Sequence, residues 1–523
     1  MIGFLPLGGA REVGASCGVL TIGDARILVD AGMRPAARPG QSRTPDLERL
    51  AANPPDAIII THAHIDHTGC LPLVAGMFPD APIFATDSTI ALARILLQDS
   101  ARIMASEQLE REGETPLYDD AMVEETLRRM RPVGFDQPFA PVAGAPALSA
   151  RYLRAGHILG AGMVLFESPH GRVLHTGDIS TGDHRTIKGV DLQRVPPADL
   201  MICEGTYGNR AHHSRKEQER ALVEMVQSVV DKGGRVLIPA FAVGRAQEVI
   251  LILKSFRATG LISPIKMFVD GMCKSVCAAY EQQSHDLHPA LQNFLRNSQR
   301  PLFMDPSLGV HAVGPRMRRD VIERGEPGLI ISTSGMLSGG PAPLYAAKLA
   351  ESERNAIIFT GYQDEESPGA ALLRAAQGDT LSIPGGTIRL NCQVARYGLS
   401  GHADAAQIEQ VVRLCGPRHL VLVHGDEAAL GALAARFRNI AVHVPAAGEE
   451  IVLGAAQGLA ARPSAAPARV DSPSGDLAGA PALSAPPTAE ALWAAVAARQ
   501  LPARPWTAIE LGQCFYGAAY QPA

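Results

Sequence analysis

The stretch IIITHAHIDHTG, residues 58–69, narrows the possible folds of this chain more than any other part of it. An apolar run of strand type ends at Ile60, and His62, His64, Asp66 and His67 follow directly. A cluster of this kind can be a surface or core feature without metal. Three imidazoles and a carboxylate at one turn instead suit two metal ions. Alternation along an extended segment sends His62 and His64 to one side, where they can share one ion. Asp66 and His67 are then free to turn toward a second. Imidazole and carboxylate ligands without cysteine suit Zn2+, with Mn2+ as the alternative, and disfavour a purely structural zinc site.

One turn cannot complete two coordination shells, so further ligands have to come from elsewhere. The first 200 residues alternate short strand-type runs with turn signals, among them RILVDAG, GRVLHTGD and ADLMICEG. Several of these runs end in a polar residue: Asp30, Asp178 and Glu204. A later run, HLVLVHGDE, ends at His424. Polar residues at strand ends point to a site along one edge of a sheet. His157, in AGHILGAG, sits among small residues that allow close backbone approach. Taken singly, His157, Asp178 and His424 are each more often structural or surface residues than ligands. Together with the first turn they complete a two-metal centre of about two Zn2+ per chain, in which Asp178 can bridge both ions.

At 523 residues the chain is too long for one ordinary core, so two compact domains or one domain with a large insertion is expected. From about residue 207 the pattern changes to strand–helix alternation, as in RVLIPAF followed by GRAQEVILILKSF, which implies a parallel sheet with crossover helices. After about 380 the strand-then-polar-loop organisation resumes. Residues 456–490 are rich in Ala, Pro, Ser and Gly and read as a linker. Residues 491–523 suggest a short helical extension, with Thr507 and Glu510 at capping-box spacing.

The formal net charge of −5 does not announce a nucleic-acid binder and does not exclude one, because a local cleft or a metal pair can supply the field. Eight scattered cysteines without a CxxC pair read as reduced thiols. Cys273 and Cys277 could share a helix face as a weak metal pair, with plain packing as the other reading. The amino terminus lacks the pattern of a signal peptide, and no apolar run approaches the ~18–20 residues of a membrane span. These features make the cytoplasm the expected compartment and leave no membrane partner.

The order HAHIDH, then His157, Asp178 and a late histidine, resembles the metallo-β-lactamase superfamily. CEGTYG, SGHAD and VHGDE are similar to motifs of its β-CASP branch of nucleic-acid hydrolases, and they single out Glu204, His402 and His424. GGAREVGAS, PAFAVGRAQE, STSGMLSGG and GYQ extend the likeness over residues 1 to about 455, toward bacterial and archaeal RNases similar to the endonuclease subunit of the cleavage and polyadenylation factor. GYQDEESPGAALL departs from that pattern, where family members tend to continue with more glycine. The resemblance implies an α/β fold: a metallo-β-lactamase αββα sandwich in two parts, 1–206 and 381–455, with a β-CASP α/β domain inserted at 207–380.

It further implies His62, His64 and His157 on one Zn2+, and Asp66, His67 and His424 on the other, with Asp178 bridging. Asp30 would orient a ligand histidine, a buried structural aspartate being its alternative. Such a centre supplies hydroxide at neutral pH to attack a phosphodiester. His402 would protonate the leaving oxygen with Glu204 behind it, so Asp66, Asp178, His402 and Glu204 form the expected catalytic set. Arg245, Ser332, Ser334, Gly335 and Ser400 are expected to meet substrate phosphates through a guanidinium and exposed loop groups.

The implied function is a zinc-dependent ribonuclease giving 5′-phosphate ends in RNA processing or decay. A histidine at the third motif favours RNA over DNA as the substrate. A thioesterase or lactonase of small substrates, a DNA-directed nuclease on the same fold, and a non-catalytic RNA-binding subunit are the alternatives. The endonuclease or 5′-exonuclease mode stays open. So does the oligomeric state, for which a homodimer is one expectation.

Overall fold

The computed structural model of the chain describes residues 1–34, 40–110 and 116–453. The expected linker at 456–490 and the extension at 491–523 lie outside the described residues, as does the Thr507/Glu510 pair. Among the described residues no helix is long and apolar enough to cross a membrane.

Two seven-stranded sheets face each other. The first runs in the order Ile451–Leu453, Ile2–Gly8, Cys17–Ile22, Ala25–Val29, Ala57–Ile59, Ile83–Ala85, Met130–Pro132. The second runs Ala441–His443, His419–Val423, Leu200–Glu204, Gly171–His175, Gly162–Ser168, Ser149–Arg154, Pro138–Phe139. Period-two alternation sorts the side chains of each strand. Ile27 and Val29 enter the core between the sheets, where they join Phe4, Tyr152, Phe166, Ile202 and Val421. Leu28 points the other way and packs with Leu71, Val74 and Leu92 of the covering helices. On the second sheet Ile202 faces inward, while Met201 and Cys203 join Ile408 and Val411 in the outer layer. The result is the αββα sandwich.

The inserted domain leaves and returns between neighbouring strands. Leu200–Glu204 pairs in parallel with His419–Val423, with Glu204 opposite Val423. Between them lies a six-stranded sheet, Val310–Val313, Met267–Asp270, Gly328–Ser332, Arg235–Pro239, Ala356–Phe359, Gln393–Arg396, in which every pairing is parallel. Both faces are buried, as a parallel sheet requires. Val236 and Ile238 pack with Val249 and Ile252 on one side. Leu237 and Ile330 pack with Tyr345 and Leu349 on the other.

The insertion extends beyond the expected boundary at 380. Thr380–Ile383 and Gly386–Arg389 form a small hairpin, and Gln393–Arg396 pairs with Ala356–Phe359. GTIRLNCQVAR read as a return to the sandwich because its strand pattern is the same in either sheet; hydrogen-bond pairing assigns it to the insertion. Cys273 and Cys277 are packed thiols. Cys273 Sγ lies 3.1 Å from the Asp270 carbonyl, and Cys277 Sγ accepts from Gln247 Nε2 at 3.4 Å. All seven described cysteines are buried and unpaired.

Candidate active site

The site lies where the strands of both sheets end. His62 and His64 are in extended backbone after Ala57–Ile59, and the chain then winds into the helical turn Ile65–Thr68. That change of conformation turns Asp66 toward His424 and leaves the His67 ring beside that of His62, centroids 4.0 Å apart. Gly32 makes the approach possible, since a Cβ there would sit 1.8 Å from the Asp66 carbonyl oxygen. Asp30 and His424 each follow a strand with positive φ, 61° and 51°. This left-handed backbone is uncommon for residues with a Cβ and clusters at functional sites.

Two sets of groups converge. In the first, His62 Nε2 lies 3.2 Å and His157 Nε2 lies 3.1 Å from His64 Nδ1. In the second, His424 Nε2 lies 3.2 Å and His67 Nε2 lies 3.9 Å from Asp66 Oδ2. Asp178 Oδ2 stands between them, 3.6 Å from His62, 3.7 Å from His157 and 3.4 Å from His67. Two nitrogens bound at ~2.0–2.1 Å to one tetrahedral zinc are about 3.3 Å apart, so the spacing of the first set is that of ligands around an ion. Asp178 Oδ1 is buried and makes no hydrogen bond among the described residues, an arrangement that suits a cation. The donor sets therefore suit metal ions.

Protonation follows the same logic. Burial pushes His62 and His157 well down and His64 down, which leaves neutral imidazoles with free lone pairs. At His67 and His424 burial acts downward too, but the facing carboxylates, Asp178 foremost, outweigh it and raise both. Asp178 and Asp66 are held below the usual carboxylate range: the neighbouring imidazoles, His424 among them, outweigh burial. The second set thus draws positive charge, which metal binding supplies while releasing protons.

Outer hydrogen bonds orient the rings of His62, His67 and His157. Asp30 Oδ2 accepts from His67 Nδ1 at 2.7 Å, and the Gly401 carbonyl accepts from His157 Nδ1 at 2.8 Å. Thr61 Oγ1 donates to Asp30 Oδ2 at 2.8 Å. A hydroxyl has one hydrogen, so Thr61 can only accept from His62 Nδ1, 3.2 Å away. The carbonyl of Gly401 and the hydroxyl of Thr61 were not singled out in the sequence. Thr61 directly precedes His62, and that adjacency was the available signal.

His402 completes the cluster. Its Nδ1 is 3.1 Å and 3.2 Å from the two oxygens of Glu204 and 3.9 Å from Asp178 Oδ2. Its ring centroid lies 4.4 Å from that of His157. Burial lowers the pKa of His402, but the charge and hydrogen bond of Glu204 outweigh it and bring it up to about 9. Glu204 also accepts from Ile179 N at 2.7 Å and from Thr206 Oγ1 at 2.6 Å. Asp404 caps the helix Ala405–Cys415 in a capping box with Gln407.

The expected substrate-binding residues divide. Arg245 begins the helix Arg245–Ala258, and a Cβ on Gly401 would lie 3.3 Å from both Arg245 Nη2 and His157 Nδ1, so the guanidinium adjoins the first set. Its Nη1 is buried with no partner among the described residues, and burial, with Arg215 close by, lowers its pKa to about 10. The others are engaged locally. Ser332 is fully buried. Ser334 Oγ accepts from Ser338 N at 3.0 Å, the Gly335 carbonyl accepts from Gln363 Nε2 at 2.9 Å, and Ser400 Oγ accepts from His402 N at 3.0 Å.

Known proteins share this organisation. Residues 10–231 match the metallo-beta-lactamase superfamily, 246–372 the Beta-Casp domain, and 387–446 the Zn-dependent metallo-hydrolase RNA specificity domain. A protein named probable RNase MJ4 from Methanocaldococcus jannaschii is 30% identical over 425 residues, 80% of this chain and 92% of that protein. Integrator complex subunit 11 of Danio rerio is 30% identical over 455 residues, 85% of this chain and 73% of that one. Transcription termination factor FttA of Methanosarcina mazei is 31% identical over 437 residues, and the chain spans 67% of its length. A solved structure of a protein of unknown function from Enterococcus faecalis V583 shares the fold, with TM-score 0.52 and 15% identity over 86% of this chain and 100% of that one.

Proposed function

Because the chain belongs to the β-CASP branch of the metallo-β-lactamase superfamily, whose members are metal-dependent hydrolases, we propose that it is a two-zinc ribonuclease that leaves 5′-phosphate ends. The observation that carries this reading is His402, held by Glu204 at 3.1 Å beside the two convergent ligand sets. Hydrolysis of a phosphodiester expels an alkoxide, which needs a proton at the moment of cleavage. The RNA specificity domain at 387–446 and the relatives named as an RNase and a transcription termination factor support RNA as the substrate.

His62, His64 and His157 would hold one ion, and Asp66, His67 and His424 the other, with Asp178 between. Bound there, a metal pair would lower the pKa of water and offset charge on the phosphate oxygens. Asp30 keeps the proton of His67 on Nδ1 and so aims Nε2 inward. With its Nδ1 turned to Glu204, His402 presents Nε2 to the leaving oxygen. Arg245, whose Nη1 is buried without a partner among the described residues and whose Nη2 adjoins Gly401, pairs with a phosphate of the substrate. A homodimer and a cytoplasmic location belong to the same proposal, and light scattering in solution reads the first.

The test incubates zinc- or manganese-loaded protein with 5′-labelled RNA, DNA of the same sequence, and a thioester. RNA should be cleaved to 5′-phosphate products, and a chelator should abolish the reaction. Turnover of the thioester with intact RNA, or equal cleavage of DNA, would refute the reading. Circular, 5′-triphosphate and 5′-monophosphate RNAs then separate endonuclease from 5′-exonuclease action.

A further inference from the structure

We propose that Thr206 is a positioning residue: one hydroxyl holds His424 in the orientation a metal needs and ties it to the carboxylate that also holds His402. The inference rests on the ribonuclease reading for its effect on cleavage, and on geometry alone for its effect on metal binding.

The geometry leaves one assignment of hydrogens. Thr206 Oγ1 lies 2.6 Å from Glu204 Oε2, 3.0 Å from His424 Nδ1 and 3.1 Å from the His424 carbonyl. Its single hydrogen goes to the carboxylate, the nearest and only charged acceptor. Thr206 then has only lone pairs for His424, so the imidazole must carry its hydrogen on Nδ1 and donate it. Nε2 then lies 3.2 Å from Asp66 Oδ2, faces the second ligand set, and is the nitrogen that would give up its proton to a metal. The carboxylate at the end of this chain is full. Glu204 takes Thr206 on one oxygen, Ile179 N on the other, and His402 Nδ1 across both.

Thr61 repeats the arrangement on the first set, donating to Asp30 at 2.8 Å and accepting from His62 at 3.2 Å. Two threonine–carboxylate pairs, from different sheets, thus each orient one histidine of a different set. They differ in where the carboxylate leads. Asp30 goes on to His67, a second ligand candidate, whereas Glu204 goes on to His402. Thr206 therefore links the second metal position to the proton donor, and Thr61 does not. Thr206 is nearly buried, so water is a poor substitute for its hydroxyl.

Thr206→Val removes the hydroxyl and keeps the shape; Thr206→Ser keeps the hydroxyl. In the full chain, competition with a chromogenic chelator should show one of two zinc ions bound about 10- to 100-fold more weakly in Thr206→Val, the range for loss of such an outer hydrogen bond, and restored in Thr206→Ser. On RNA, kcat should fall at little change in KM, again rescued by serine. Should the valine variant not fold, nitrogen-15 NMR of the zinc-loaded wild type decides: His424 should carry its proton on Nδ1. Wild-type affinity for both ions in Thr206→Val, or an Nε2–H tautomer at His424, overturns the proposal. If wild-type protein binds zinc but leaves RNA intact, the ribonuclease reading fails, while the chelator comparison still decides the role of Thr206.

Discussion

Glu204 reaches His402 with both carboxylate oxygens, at 3.1 Å and 3.2 Å from Nδ1. The pair connects the strand Leu200–Glu204 to the loop that precedes the helix Ala405–Cys415. It raises the pKa of the imidazole beside the ligand sets, and His402, Glu204 and Asp178 form a third group of close polar atoms there. His402→Ala should therefore retain both zinc ions and lose roughly 10²–10⁴ in the cleavage step. The defect should shrink on bis-p-nitrophenyl phosphate, whose leaving group needs little protonation. Glu204→Gln should show a milder form of the same pattern. Equal defects on both substrates would make His402 a phosphate binder instead.

Asp30 gives His67 its only charged partner on the side away from the centre, at 2.7 Å. Asp30→Asn keeps the shape and weakens that bond. Zinc affinity of the second set should fall by about 10- to 100-fold, the cost typical of such outer-shell changes. Chelator titration of the variant against wild type measures it, and unchanged affinity would make Asp30 purely structural.

Arg245 has a buried Nη1 without a hydrogen-bond partner among the described residues, and its Nη2 adjoins Gly401. Arg245→Ala should raise KM for RNA and leave zinc content at wild-type level, and Arg245→Lys should recover little, since lysine lacks the planar fork. Filter binding with the slow-cleaving His402→Ala as background reads the affinity directly. Unaltered binding would return Arg245 to a role in packing.

A pH effect on stability is expected from the contact between the sandwich and the inserted domain. Burial takes His184 down to about 3, against the pull of Glu248, 4.0 Å away. Glu248 is brought to about 2: burial acts upward, but Arg215, His184 and donation from Thr186 and Arg185 outweigh it. Below pH about 6.5 the unfolded chain protonates His184 and the folded one does not, so stability falls as pH drops toward 3. The Glu248 contribution is complete above its usual range and is lost as pH falls from about 4.5 toward 2. Thermal melts of metal-free protein should thus show Tm falling from pH 7.5 to 5, with a shallower slope in His184→Gln. An equal slope in both would remove His184 from the account.

Much of this molecule was legible residue by residue. The alternation of Ile27, Leu28 and Val29 encodes a sheet buried on both faces, and HAHIDH gathers groups that could hold metal, because both depend on neighbours within a few positions. The later motif residues could be named because strand-end context and family likeness marked them. Other features required pairing between distant segments. Gln393–Arg396 reads as a strand in either sheet, and only its hydrogen bonds to Ala356–Phe359 place it in the insertion. Ser332 and Ser334 have the composition of an anion loop, yet one is fully buried and the other caps its own turn. Thr206 has no sequence pattern of its own as a hinge between His424 and Glu204. The direction of a hydroxyl is decided by which acceptor lies nearest, and His424 comes from 218 positions away. Residue types and local spacing determine which groups can bind metal. The links between His424, Thr206, Glu204 and His402 are decided where parallel strands bring Glu204 and Val423 side by side.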